Sequence, residues 1–153
     1  MLDIDPNSAG NRFRAKRFAL FRDLLDEVMA RNAPGVSCRI LDIGGTAGYW
    51  EAFGAGLPWD RVSVTLTNLS AQETRASSIR SVVADARSMA DFADGSFDLV
   101  HSNSVIEHVG QWRDMMAMAG EVRRLAPAYS LQTPYLWFPF EPHVRTPVVQ
   151  LLP

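Results

Sequence analysis

The chain is poor in the residues that would mark several common classes of protein. Among its 153 residues it has one cysteine, Cys38, so no internal disulfide can form, and a thiolate cluster for a metal is ruled out. Of its 15 basic residues only Lys16 is a lysine, and the net charge of -2 gives no electrostatic case for a nucleic-acid partner. No apolar run approaches the roughly 20 residues that span a bilayer. The opening MLDIDPNSAG is acidic and lacks the apolar centre of a secretion signal. These absences leave a cytoplasmic protein, with no membrane or nucleic acid as partner, as the expectation. There are no internal repeats and no low-complexity tract.

What is present is enough apolar material for one core: 47% of residues are apolar and 21% charged. Residues 11–32 read as a helix, because Phe18, Phe21, Leu25, Val28 and Met29 recur at spacings of three and four. Pro34 and Gly35 stop it. A buried strand follows over 39–43, then a helix over 47–53. Val62, Val64 and Leu66 alternate with polar residues in a second strand that ends near Asn68. Short strands are expected over 81–84 and 97–101, the second after an Asp94-Gly95 turn. Residues 112–125 form the best later helix, and 129–133 a fifth strand stopped by Pro134. Strands alternating with helical segments predict an α/β, doubly wound and mostly parallel sheet. The expected organisation is a helical segment over 1–34, an α/β core over 35–133 and an aromatic, proline-rich segment over 134–153, in a single domain.

The chemistry concentrates in ILDIGGTAGYW, residues 40–50. A glycine-rich turn after a strand lets a ligand approach the main chain closely. A dinucleotide site wants G-x-G-x-x-G here, but the positions read Gly44, Thr46 and Tyr49. Asp42 would also repel a diphosphate. The carboxylate suits a ligand with a positive centre, although it could merely cap the turn.

ILDIGGTAG resembles the first motif of class I S-adenosylmethionine-dependent methyltransferases, of the type 11-like branch, with Thr46 in place of the middle glycine. TLTN, VVADA and DGSFDLVHSNSVIEHV resemble three further motifs of that family in the right order, and LQTPYLWFPFEPH its fifth strand and substrate-side loop. The resemblance implies a Rossmann-like sheet of order 3-2-1-4-5, apparently without the last two of the family's seven strands, as in a truncated or naturally short form. The fifth strand's open edge then invites a homodimer.

The resemblance also implies S-adenosylmethionine as cofactor and methyl transfer to a small-molecule acceptor, at oxygen. Asp42, Gly44, Gly45, Thr46 and Gly48 would meet its methionine part, with Tyr49 lining the cleft. Asn68 would meet the ribose diol, Asp85 and Ala86 the adenine, and Ser102 and Asn103 the methionine end again. A hydroxyl acceptor needs a base, and His108 and His143 are the candidates. His101, inside a strand, reads as a satisfied core histidine, and Glu107-His108 as a pair that orients its loop or touches substrate. The alternative is a non-catalytic module that binds the cofactor or its demethylated product.

Overall fold

A computed structural model describes residues 9–33, 35–133, 140–141 and 146–147. The elements run α1 (Ala9–Arg31), β1 (Cys38–Ile43), α2 (Ala47–Phe53), β2 (Val62–Asn68), β3 (Ile79–Val83), β4 (Leu99–Asn103), α3 (Trp112–Leu125) and β5 (Ala128–Gln132). Two-residue strands, β6 (Phe140–Glu141) and β7 (Thr146–Pro147), pair antiparallel with each other. The main sheet has the order β3-β2-β1-β4-β5, and every neighbouring pair is parallel. This is the α/β, doubly wound architecture that the alternation of strands and helices predicts.

Strand alternation divides the core in two. Cys38 and Ile40 of β1, Val62, Val64 and Leu66 of β2 and Leu99 of β4 pack with Phe18, Phe21 and Leu25 of α1 and Trp50 of α2. Leu41, Ile43 and Val100 face the other way, against Met118, Val122 and Leu125 of α3. Cys38 is fully buried in the first cluster, and burial pushes its thiol up to about 11, so it packs as an inert apolar group.

β4 starts two residues later than its apolar run and continues into polar sequence. Phe97 N–H donates to Leu125 O (3.1 Å) and Asp98 N–H to Arg39 O (2.9 Å), an approach to the sheet before the ladder. The strand runs on through Ser102 because that buried side chain has a partner: its hydroxyl donates to Ile43 O at 3.1 Å. β3 likewise begins at Ile79, whose side chain is buried, before the apolar pair Val82-Val83.

Candidate cofactor cleft

β1 ends in a turn that only glycine can form. Gly44 has φ +72°, and a Cβ there would run into the Val105 side chain. Gly44 N–H donates to Thr67 O at 2.7 Å, which ties the turn to the end of β2. Asn68 Nδ2 donates to Gly45 O at 2.9 Å and holds the next residue as well. Thr46 takes the position before α2, where its hydroxyl accepts from Tyr49 N–H at 3.2 Å. A side-chain cap is something glycine could not supply, which accounts for threonine in the glycine pattern.

Beyond this turn lies a cleft of about 260 Å³ at the carboxyl ends of the strands. Gly44, Thr67, Asn68, Asp85, Ala86 and His108 line it, with Leu69, Val105 and Val109 as apolar wall. Asp85 is part of this lining. Its carboxylate accepts a fork from Arg87, Nε at 2.9 Å and Nη2 at 2.6 Å, and its pKa falls to about 2 because of those hydrogen bonds. His108 follows β4 on a single helical turn, Ile106–His108, with its Nε2 3.9 Å from Glu107.

Of the residues expected from the sequence, the cleft therefore brings together Gly44, Asn68, Asp85, Ala86 and His108. Gly45, Thr46 and Gly48 build the turn and the start of α2 beside it. Asn103 ends β4 and accepts from the Ser104 hydroxyl at 3.3 Å. Ser102 is withdrawn between β1 and β4. Tyr49 turns to the α1 side, where its ring stacks on His101 (centroids 5.4 Å apart) and burial pushes its hydroxyl up to about 12. His143 lies outside the described residues. Leu69, Thr67 and Val105 are lining residues that sequence reasoning missed; a strand-end threonine and lone apolar residues in loops carry no distinctive signal.

Direct contact with a cationic ligand is the expectation for Asp42, and the surroundings of this carboxylate are protein groups. It is 1% exposed, and both carboxylate oxygens are taken within the protein. One accepts from Trp50 Nε1 at 2.7 Å and the other meets His101 Nδ1 at 2.8 Å. A carboxylate can only accept, so Nδ1 is the protonated nitrogen of that ring. The pairing follows from register, because Asp42 and His101 are opposite residues on β1 and β4 and share a face. The satisfied core histidine read from the sequence thus has Asp42 as its partner. The carboxylate also backs directly onto Gly45, where a Cβ would overlap its oxygens. Asp42 shapes the turn from behind.

The residues present fit S-adenosylmethionine. Thr67 Oγ1 is buried at the cleft and has no hydrogen-bond partner among the described residues. Asn68 spends its amide N–H on Gly45, and its Oδ1 faces no donor among the described residues, which leaves an acceptor for a diol. Apolar walls beside Asp85 suit a purine with an exocyclic amine. Among the described residues no group of three or more His, Cys, Asp or Glu is placed to hold a metal ion, and no helix is long and apolar enough to cross a membrane.

A parallel sheet of this order, with a glycine turn at the end of β1 and a cleft beyond it, defines a nucleotide-type α/β protein. The family model described as a methyltransferase domain matches residues 41–127, more than half of the chain, and the chain belongs to that family. S-adenosylmethionine is accordingly its cofactor. Among curated proteins none matches. Solved structures share the fold. The CurJ carbon methyltransferase superposes with a TM-score of 0.58 at 16% identity, over 79% of this chain and 34% of that one. The DszA carbon methyltransferase gives 0.57 at 16% identity, over 78% and 34%. The arsenic(III) S-adenosylmethionine methyltransferase CrArsM from Chlamydomonas reinhardtii gives 0.48 at 25% identity, over 63% and 38%. The chain spans little more than a third of each of these structures.

Proposed function

We propose that this chain binds S-adenosylmethionine in the cleft beyond β1 and methylates a small-molecule acceptor at oxygen, in the cytoplasm. The observation that carries the reading is the convergence of the Gly44 turn, Thr67, Asn68 and Asp85 on one cleft with His108 at its edge. In this reading Gly44, Gly45 and Gly48 give the methionine part its close approach to the main chain. Asn68 accepts from the ribose, Asp85 and Ala86 meet the adenine edge, and Asn103 flanks the methionine end. Asp42, Thr46, Tyr49 and Ser102 act by holding the turn and strand ends in place.

The cofactor supplies a methyl group already activated by its sulfonium. The protein's share is to hold the acceptor oxygen in line and to exclude water, a proximity effect worth several kcal/mol. His108 takes the acceptor's hydroxyl proton. His143 is the second candidate for that role. β5 is the last strand of the sheet among the described residues, and its edge gives a homodimer its contact.

Calorimetric titration with S-adenosylhomocysteine tests the cleft, and methyl transfer to a panel of hydroxyl acceptors tests the chemistry. Saturable binding with transfer that falls about 10²–10⁴-fold in His108→Ala supports both parts. Binding without transfer to any acceptor would leave only the cofactor-binding module.

A further inference from the structure

A second pocket, of about 250 Å³, opens at the opposite end of the sheet from the cofactor cleft. Its origin is in the strand alternation. Val62, Val64 and Leu66 of β2 face α1 and α2, which puts Ser63 and Thr65 on the other face. Arg39 of β1 and Arg80 of β3 stand on that same face, since Arg39 pairs with Ser63 and Thr65 with Arg80 in the parallel register. The pocket is lined by these residues together with Ser77, Ser78 and Ser96, with Phe92 and Phe97 as apolar wall. Two guanidinium groups and five hydroxyls thus meet in one concavity, and no carboxylate lines it.

The donors are only partly used. Arg39 gives Nε (3.2 Å) and Nη2 (3.0 Å) to Asp98, just outside the lining, so that arginine is neutralised. Arg80 gives Nε to Thr65 Oγ1 at 2.9 Å, and no carboxylate among the described residues pairs with its charge. Ser96 Oγ is buried and has no hydrogen-bond partner among the described residues. An arginine held in place by a neutral hydroxyl, beside an unpartnered buried hydroxyl and further serines, is a set of donors waiting for an acceptor.

We propose that this pocket binds a small oxyanion, a phosphate group by its chemistry, independently of the methyl-transfer site. A tetrahedral anion takes several donors at once, and the planar fork of arginine matches its oxygens. A concavity of about 250 Å³ accepts a phosphate, alone or carrying a compact group. Phe92 gives such a group an apolar surface.

The test is calorimetric titration of the full chain with inorganic phosphate and, in a parallel arm, phenyl phosphate. Saturable binding is expected, weakened at least tenfold in Arg80→Gln and several-fold in Ser96→Ala. S-adenosylhomocysteine affinity, read at the other end of the sheet, stays within twofold in both variants and shows that they are folded. Tighter binding of phenyl phosphate identifies a phosphate ester as the ligand; equal binding identifies free phosphate. Absence of saturable binding of either probe overturns the proposal, as does equal binding by the wild type and Arg80→Gln.

Discussion

Replacing Asp42 separates a carboxylate that binds ligand from one that builds the turn. In Asp42→Ala two enclosed donors, Trp50 Nε1 and His101 Nδ1, lose their acceptor. Neither ring can turn to water. Trp50 is 1% exposed and His101 5%, and the imidazole is hemmed in by Phe21, Tyr49 and Trp50 at centroid distances of 4.9, 5.4 and 5.6 Å. Each stranded donor costs about 1–3 kcal/mol, which makes about 2–6 kcal/mol for the two. For a chain of this size that is a drop in Tm of roughly 5–20 °C. Asp42→Asn keeps the shape and an acceptor for Trp50. Its amide N–H then faces His101 Nδ1, and the ring answers by moving its proton to Nε2. The asparagine variant is therefore expected to lose only about 1 kcal/mol. Urea unfolding followed by the chain's tryptophan fluorescence gives both values, and calorimetry with S-adenosylhomocysteine gives the affinities. If Asp42→Ala unfolds like the wild type yet loses affinity a hundredfold, the carboxylate meets the ligand directly and the reasoning fails.

Other outcomes follow from the same geometry. Gly45→Ala drives a methyl into the Asp42 carboxylate, and is expected to destabilise by about 1–3 kcal/mol and to weaken S-adenosylhomocysteine binding in the same titration. Trp50→Phe keeps an aromatic ring among Phe18 and Phe21 but leaves an Asp42 oxygen without its donor, so urea unfolding should register a loss of about 1–3 kcal/mol. Arg124 binds Glu121 and Asp94 and the main-chain oxygens of Phe92 and Met89. Arg124→Ala should free that connector from α3, seen as faster amide exchange over residues 89–96. Asp85, its folded pKa lowered to about 2 by Arg87, contributes stability that is present above the ordinary carboxylate range and fades as pH falls toward 2. At this exposure the contribution is only about 0–1 kcal/mol, and Arg87→Gln should abolish that part of the acid limb in pH-dependent unfolding.

The sequence by itself determined the element order and the place of the cleft. Apolar periodicity located α1 and α3, and alternation located β2, because each pattern is the direct imprint of one buried face. The glycines marked the turn, because only glycine tolerates the left-handed backbone at position 44 beside Val105. Tertiary structure alone decided which groups surround Asp42. An acid before a glycine turn reads equally as a ligand group or a scaffold until β4 comes alongside β1 and sets His101 opposite it. The same holds for the polar pocket, whose arginines and serines come from strands and loops up to 57 positions apart in sequence (39 to 96) and acquire a common surface only through the parallel register. Periodicity records which face of an element is buried; which side chains of different elements meet is fixed only by strand order and register, and a single chain's pattern does not encode that pairing locally.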